Sequence, residues 1–253
     1  MQSVNQEFLS GSTAALAERP DIVDYDRGYS GGAGTVTPER ELPRQKSKRA
    51  YEAIKRVFDI IGSGLGMIVL IPVFLAISIL IKSEKSGKHV FYKQRRIGRG
   101  GKEIYIYKFR SMVDGADDVE KWLNKKQLKQ YYREYKVDND PRVTKIGKFL
   151  RRTGLDELPQ ILNIFRGELS IVGPRPIQEK ELAFYGSDKD LLLSVRPGLT
   201  GYWQVYCCDG ITYSGGKRQQ MELDYVRKCN LWWDIKLVFA TVGAIFKKFR
   251  RGQ

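Results

Sequence analysis

The chain has 253 residues and a formal net charge of +15. This length is sufficient for one hydrophobic core with an accessory segment. Three cysteines, two of them adjacent, do not make a disulfide framework, which fits a reducing compartment. The single histidine, His89, has no neighbours that suggest a catalytic pair, so chemistry based on Ser-His or Cys-His pairs is disfavoured.

The positive charge lies after residue 44. Residues 1–44 contain seven acidic and four basic side chains, a net charge of −3, so the remainder carries +18. This excess predicts an anionic partner, which can be nucleic acid, an anionic membrane leaflet or a polyphosphate substrate. Residues 1–44 are poor in large apolar residues and lack a signal-peptide pattern, which predicts a disordered cytoplasmic tail.

The segment from Ile60 to Ile81 has no charged residue over 22 positions, which is long enough to cross the ~30 Å hydrocarbon core of a bilayer. Pro72 at its middle removes a helix hydrogen bond and predicts a bend. Lysines and arginines flank both ends, as expected if both ends are cytoplasmic and the segment re-enters one leaflet. Hydropathy alone favours the alternative of a simple spanning anchor.

The stretch from Val90 to Met112 predicts two short strands joined by a turn at Gly98 to Gly101, a small β-hairpin. Lys108 and Arg110 alternate onto one side of the second strand, where they either face phosphate or form a solvated edge. Residues 117–136 then predict a charged surface helix. Its basic and aromatic residues are diluted by four acidic ones, which weakens a nucleic-acid interpretation.

Asp156 and Glu157 stand side by side before an apolar-periodic run, so we expect them in the first turn of a helix. Such a pair is commonly a helix cap and nothing more. Basic residues nevertheless crowd the approach, and Arg175 lies between two prolines that fix its backbone. These basic residues are Arg142, Lys145, Lys148, Arg151 and Arg152. Carboxylates ringed by cations suit phosphoryl chemistry, with the cations holding an anionic substrate.

Towards the C-terminus the pattern predicts a helix from Glu179 to Leu193 and a last helix from Leu231 to about Lys248. Between them, Arg196 precedes a Pro-Gly turn that restricts its movement. The last helix has the tryptophans, phenylalanines and basic residues of an interfacial helix, and it equally fits a core helix with a basic tail.

Several ordered motifs resemble those of the bacterial sugar transferase family, the monotopic phosphoglycosyl transferases. The likeness extends from Lys55 to Lys248, which is 194 of the 253 residues. The matching motifs are KRVFD from Lys55, QRRIG from Gln94, YKFRSM from Tyr107, DPRVT from Asp140 with Gly147, LDELPQ from Leu155, Asn163 with Gly167, SIVGPRP from Ser170 and VRPGLTGYWQV from Val195. Cys207-Cys208-Asp209 departs from an Arg-Asn element of the family, and this puts the sugar preference in doubt.

The resemblance implies transfer of a sugar-1-phosphate from a UDP-sugar to undecaprenyl phosphate in exopolysaccharide or capsule assembly, with galactose or glucose favoured as the sugar. Asp156 would be the covalent nucleophile, and Mg²⁺ would be held near Asp156 and Glu157. Arg151 and Arg175 would clamp phosphates. Lys108, Arg110 and Arg196 would be additional substrate-binding residues.

The resemblance also implies the architecture, a compact mixed α/β (α+β) monotopic domain with a re-entrant helix, a small β-hairpin and interfacial helices. Residues 1–44 would be the tail, residues 45–88 the membrane anchor and residues 89–253 the catalytic domain. The expected location is the cytoplasmic face of the bacterial inner membrane, in contact with anionic lipids, with a homodimer compatible and no nucleic-acid partner. A non-catalytic membrane scaffold is the alternative, although Asp156, Glu157 and Arg175 are all present.

Overall fold

The computed structural model describes residues 46–84, 87, 89–134, 137–206 and 216–250. The predicted tail of residues 1–44 and the Cys207-Cys208-Asp209 departure lie outside these residues. The elements in chain order are α1 (Lys46–Val69), α2 (Ile71–Ser83), β1 (Phe91–Ile97), β2 (Glu103–Phe109), α3 (Val119–Trp122), α4 (Lys125–Glu134), α5 (Lys145–Thr153), α6 (Ile161–Arg166), β3 (Ser170–Val172), α7 (Lys189–Leu193), β4 (Gly198–Thr200), α8 (Tyr202–Tyr206), α9 (Lys217–Lys228) and α10 (Leu231–Arg250). Short 3-10 helices cover Arg99–Gly101, Leu155–Gln160 and Glu179–Asp188. Helices combined with two small sheets confirm the predicted mixed α/β class.

The uncharged segment forms two helices that meet at a bend. The ranges Lys48–Val69 and Ile71–Ser83 are inclined by 58° at Leu70, two residues before Pro72, as the missing N–H of proline predicts. Within the described residues, no single helix has both the length and the apolar composition to cross a bilayer, and this bent pair meets the requirement only together.

Both arms of the bent pair attach to the rest of the fold. On α1, one carboxylate oxygen of buried Asp59 accepts hydrogen bonds from the Ser170 hydroxyl at 3.1 Å and the Ile171 N–H at 2.9 Å. At the other end, Ile81 of α2 is buried in a core cluster with Phe109 and Leu150. The two ends of the apolar segment are therefore held by one globular unit.

The predicted β-hairpin is present, and a buried asparagine fixes its position. Strands β1 and β2 pair antiparallel, with Phe91 opposite Phe109 and Ile97 opposite Glu103. The fully buried Asn163 of α6 donates to the Tyr105 carbonyl at 2.8 Å and accepts from the Tyr107 N–H at 3.0 Å. Because both bonds go to the β2 backbone, the hairpin is held in one register against α6.

Two predicted helices are interrupted for local reasons. The helix predicted over residues 117–136 is divided into α3 and α4, with residues 135 and 136 outside the described residues. The division arises because the Asn124 side chain accepts from the Gln127 N–H at 2.9 Å and begins a new helix. The helix predicted from Glu179 to Leu193 becomes a 3-10 segment followed by α7. Its break lies at Gly186, where φ is +48°.

The parallel pairing of β3 with β4 was not predicted. Ser170 pairs with Gly198 and Val172 with Thr200, so the Pro-Gly turn expected after Arg196 is the start of a strand. The backbones approach so closely that a Cβ at Gly198 would lie 2.0 Å from the Gly173 nitrogen. Both strands depend on this close approach. The atoms nearest to a Cβ at Gly198 belong to the backbone, so no flexible side chain can move aside to make room for it.

We therefore expect Gly198→Ala to lower the thermal unfolding temperature of detergent-solubilised protein. Overpacking against backbone costs about 1–3 kcal/mol, which for a chain of this size corresponds to roughly 2–12 °C. Gly243→Ala is the matched control, since nothing lies within 4 Å of a Cβ there and alanine favours a helix. Equal unfolding temperatures for the two variants would contradict the packing argument.

Candidate active site

The two central carboxylates lie where the chain reverses after α5. Helix α5 is capped by the Thr144 hydroxyl, which accepts from the Gly147 N–H at 2.9 Å, and it ends at Gly154 with φ of +74°. The chain then enters the 3-10 helix with Asp156 and Glu157 in its first turn, as predicted. Pro159 lies within this 3-10 helix, where its missing N–H removes one backbone hydrogen bond.

Glu157 is held by cations from two other parts of the chain. Its Oε1 lies 2.9 Å from Lys108 Nζ on β2 and 3.7 Å from an Arg175 guanidinium nitrogen on the loop after β3. Burial raises the pKa of the carboxyl, but the charges of Lys108 and Arg175 outweigh burial and lower the pKa to about 2. Glu157 is therefore an ionised, immobilised side chain at neutral pH.

Asp156 has a different environment from its neighbour. Its side chain is buried, with 9% exposure, and among the described residues it forms no ion pair. Burial raises the pKa of Asp156, Lys108 and Arg151 lower it, and the adjacent Glu157 raises it further, so that the net shift is upward. Asp156 is thus a desolvated carboxyl that forms no ion pair within the described residues and lies near two cations.

Of those two cations, Lys108 is largely buried, whereas Arg151 is exposed. Burial lowers the pKa of Lys108 against the opposing effect of Glu157. The Arg151 Nε donates to the Ser111 hydroxyl at 2.8 Å. A buried cation such as Lys108 interacts strongly with an entering phosphate, because little water competes for it.

The structure places the other two predicted substrate-binding residues elsewhere. Arg110 donates to the Ile81 carbonyl at 3.4 Å and lies 3.3 Å from the Asp114 carboxylate, whereas Lys108 turns to Glu157. Arg110 lies just beyond the end of β2, so the strand alternation that was expected to align it with Lys108 no longer applies. Arg196 donates to the Gly167 carbonyl at 3.0 Å, at the C-terminal end of α6. Their phosphate contacts stay a prediction.

A narrow open cleft adjoins the carboxylates. Its lining includes Glu157, Lys108 and Arg175, and Asp156 lies next to it in the chain. Further lining residues are Arg96, Ile106, Gln160, Pro176, Gly198, Leu199 and Gln204. Three cations around one carboxylate make this cleft suitable for an anion.

Sequence reasoning assigned no role to Arg96, Gln160 or Gln204. A signal for Arg96 was available in the hairpin, because Arg96 pairs with Ile104 and so shares a face with Ile106 and Lys108. Arg96 is buried and held by Glu181 at 3.0 Å. Gln204 required knowledge of the β3–β4 pairing, which local patterns do not provide.

The carboxylates can be tested for their fit to a divalent cation. The described residues contain no group of three or more His, Cys, Asp or Glu side chains that could hold a metal ion by themselves. Mg²⁺, however, is commonly bound through one or two carboxylates together with substrate phosphates. Asp156 and Glu157 beside a cationic cleft fit that second arrangement.

Comparison with known proteins gives a family. The profile described as "Bacterial sugar transferase" matches residues 50–248. The exopolysaccharide production protein ExoY of Rhizobium meliloti is 41% identical over 194 residues, which cover 76% of this chain and 84% of that protein. The UDP-glucose:undecaprenyl-phosphate glucose-1-phosphate transferase of Escherichia coli is 39% identical over 251 residues, which cover 95% of this chain and 50% of that protein.

A third relative is the undecaprenyl-phosphate galactose phosphotransferase of Salmonella typhimurium. It is 38% identical over 205 residues, which cover 80% of this chain and 42% of that protein. The chain therefore corresponds to nearly the full length of one relative and to half or less of the other two. Because the family profile covers most of this chain, the chain belongs to the bacterial sugar transferase family.

Proposed function

We propose that this protein transfers a sugar-1-phosphate from a UDP-sugar to undecaprenyl phosphate, giving undecaprenyl diphosphate-sugar and UMP. The assignment to exopolysaccharide or capsule assembly rests on relatives whose names specify exopolysaccharide production and galactose or glucose phosphate transfer to undecaprenyl phosphate. These names also favour galactose or glucose as the sugar of this chain.

The observation that carries the proposal is the difference between the two adjacent carboxylates. Glu157 is fixed by Lys108 and Arg175, whereas Asp156 is desolvated and forms no ion pair in the described part of the chain. A desolvated carboxylate beside a cationic cleft is suited to attack phosphorus, and its neighbour is suited to hold the cations in place. A scaffold protein would have no need of this arrangement.

The reaction then proceeds by two displacements at one phosphorus atom. A carboxylate oxygen of Asp156 attacks the sugar-bearing phosphorus of the donor. The bond from that phosphorus to the bridging oxygen breaks, and UMP leaves with the electron pair. An oxygen of undecaprenyl phosphate next attacks the same phosphorus, the Asp156–phosphorus bond breaks, and the carboxylate is regenerated.

The surrounding cations bind and orient the phosphates. Arg175 and Lys108 line the cleft and already contact Glu157, so both are positioned before substrate arrives. Arg151, which donates to the Ser111 hydroxyl, acts on Asp156 through its charge. Mg²⁺, held by Asp156 and Glu157 when bound, would supply further neutralisation of the diphosphate charge.

The enzyme is proposed to lie on the cytoplasmic face of the bacterial inner membrane, with α1 and α2 re-entering one leaflet. Large apolar side chains are exposed around the bend, including Ile68, Val69 and Ile71, each more than half exposed. A soluble surface rarely tolerates so many, so a lipid environment accounts for them. The attachments of Asp59 and Ile81 to the same globular unit support a segment that enters and returns.

The C-terminal helix α10 is proposed to rest on the same membrane surface. Trp232 and Phe239 are 65% and 73% exposed, and Ile235, Val238 and Val242 are also exposed. The Lys236 ammonium lies 5.1 Å from the Trp232 ring centroid. Exposed tryptophan with lysine beside it is typical of helices at the headgroup level, where anionic lipids can be contacted.

A panel of UDP-sugars tests the proposed reaction. Detergent-solubilised protein is incubated with each UDP-sugar in the presence of undecaprenyl phosphate and Mg²⁺. UMP release is measured for the wild type and for Asp156→Asn. We expect turnover with UDP-galactose or UDP-glucose, and we expect this turnover to stop when Mg²⁺ is chelated. In Asp156→Asn, kcat should fall by up to roughly six orders of magnitude, as when a covalent nucleophile is removed. Wild-type rates in Asp156→Asn would exclude Asp156 as the nucleophile.

Single cysteines test the membrane arrangement. Lys48→Cys and Lys82→Cys, at exposed positions on either side of the bend, are introduced separately after Cys207, Cys208 and Cys229 are changed to serine. A re-entrant segment predicts that a membrane-impermeant maleimide labels both sites in inverted vesicles and neither in spheroplasts. Labelling of one of the two sites in spheroplasts would establish a spanning segment instead. Lysed membranes provide the control for reactivity.

A further inference from the structure

We propose that the amide side chains of Gln160 and Gln204 form a subsite that hydrogen-bonds hydroxyl groups of the transferred sugar. This subsite rests on the proposed function, in which the donor is a UDP-sugar. Both residues line the cleft together with Glu157, but they come from different elements: Gln160 ends the 3-10 helix that carries the carboxylates, and Gln204 belongs to α8. Neither residue takes part in the chemistry described above.

Gln204 offers an acceptor that the described protein residues leave unused. Its Nε2 donates to the Leu199 carbonyl at 3.0 Å, which fixes the orientation of the amide, since two carbonyl oxygens would repel each other there. The other amide atom, Oε1, is buried and has no hydrogen-bond partner among the described residues. A buried acceptor without a partner is unfavourable, so a ligand that donates a hydrogen bond to it gains affinity.

Gln160 brings a second amide to the same cleft. The residue is only 2% exposed, and its side chain forms no hydrogen bond with the other described residues. It follows Glu157 by three residues, one turn of a 3-10 helix with a rise of about 6 Å, so that the two side chains share a face. An amide can donate and accept at the same time, and a hydroxyl group matches it in both respects.

The phosphates of the donor cannot be the partner of Gln204 Oε1. The ionised diphosphate of a UDP-sugar presents only acceptors at neutral pH, whereas Oε1 requires a donor. Three other parts of the substrate carry one: the sugar through its hydroxyls, the ribose through its hydroxyls, and uracil through its N3–H. The cleft therefore separates two tasks, with cations for the phosphates and amides for an uncharged polar group.

The location of Gln160 selects the sugar among these three. Asp156 attacks the sugar-bearing phosphorus, and Gln160 lies four residues later on the same short helix. One oxygen and two carbons separate that phosphorus from the nearest sugar hydroxyl, whereas the ribose and uracil lie beyond the second phosphate. Ile106, Pro176 and Leu199 also line the cleft and provide apolar contacts for the C–H groups of a hexose. The cleft is narrow, so it must widen to admit a hexose, as side-chain rotations on binding commonly allow.

Donors that lack single hydroxyls test the subsite. For the wild type, Gln160→Leu and Gln204→Leu, kcat/KM for UMP release is measured with the preferred UDP-hexose and with analogues that each lack one hexose hydroxyl. With the parent donor, each variant should lose about five- to tenfold, the contribution of one hydrogen bond. With the analogue that lacks the bound hydroxyl, variant and wild type should agree within about twofold, because the partner is already absent.

Two further kinds of donor separate the sugar from the nucleoside, one with a deoxygenated ribose and one with N3-methyluracil. If only these donors lose their sensitivity to the glutamine variants, the amides bind the nucleoside, and the assignment to the sugar is overturned. An equal loss with every donor would show a purely structural role and would overturn the subsite. Gln130→Leu is the matched control, the same change at a residue that donates to Asp138 at 2.8 Å outside the cleft, and it should leave kcat/KM unchanged.

Binding measurements separate the subsite from the reaction. In Asp156→Asn, which lacks the proposed nucleophile, Gln204→Leu should weaken binding of the UDP-hexose about five- to tenfold by calorimetry. UDP, which has no hexose, should bind with and without Gln204→Leu equally within about twofold. If the wild type releases no UMP but this difference between UDP-hexose and UDP is found, the reaction assignment fails and the subsite stands. If the wild type turns over and neither variant is coupled to any hydroxyl, the reaction stands and the subsite fails.

Discussion

A buried carboxylate, Asp156, and a half-buried one, Glu157, lie at the start of a 3-10 helix, and the structure around them depends on how that negative charge is offset. Burying ionised carboxylates without partners is costly. The compensating cations come from three elements: Lys108 from β2, Arg151 from α5 just before the carboxylates, and Arg175 from the loop after β3. The hairpin, α5 and the β3–β4 pair must therefore all be in place before the site is complete.

The compensation is unequal, and this inequality gives the two carboxylates different properties. Glu157 takes the direct contacts, and its pKa is lowered to about 2. Asp156 receives only longer-range attraction from Lys108 and Arg151, and burial raises its pKa. Adjacent residues of the same charge thus become a fixed partner for the cations and a carboxyl that forms no ion pair in the described part of the chain. Because the folded protein raises the pKa of Asp156, the ionised form of Asp156 lowers the free energy of unfolding at neutral pH. This loss of stability is recovered as the pH falls through the raised pKa.

The second constraint is the attachment of the apolar segment to the globular unit. Asp59 at one end bonds to β3, and Ile81 at the other end packs on Phe109, the last residue of β2. The same β2 strand carries Lys108 into the site, one residue earlier in the chain. The segment that is proposed to enter the membrane therefore packs against the same strand that carries Lys108 to the carboxylates.

The sequence predicted those parts of the fold that depend on local chemistry. The bend follows from Pro72, the hairpin from strand alternation around Gly98 to Gly101, and the placement of Asp156 and Glu157 from the apolar run after them. It could not predict contacts set by long-range pairing. Arg196 lies at a carbonyl of α6, and Gln204 lines the cleft, only because β3 pairs with β4. No local pattern encodes those arrangements.

The most direct test of the central claim is to mix the protein with UDP-sugar and Mg²⁺ in the absence of undecaprenyl phosphate. The peptide containing Asp156 is then analysed by mass spectrometry, and released UMP is quantified. The account predicts stoichiometric UMP and a hexose-phosphate adduct on Asp156, discharged when undecaprenyl phosphate is added. A protein that turns over with both substrates but releases no UMP and carries no adduct without the acceptor would contradict it, since transfer would then occur by a single displacement.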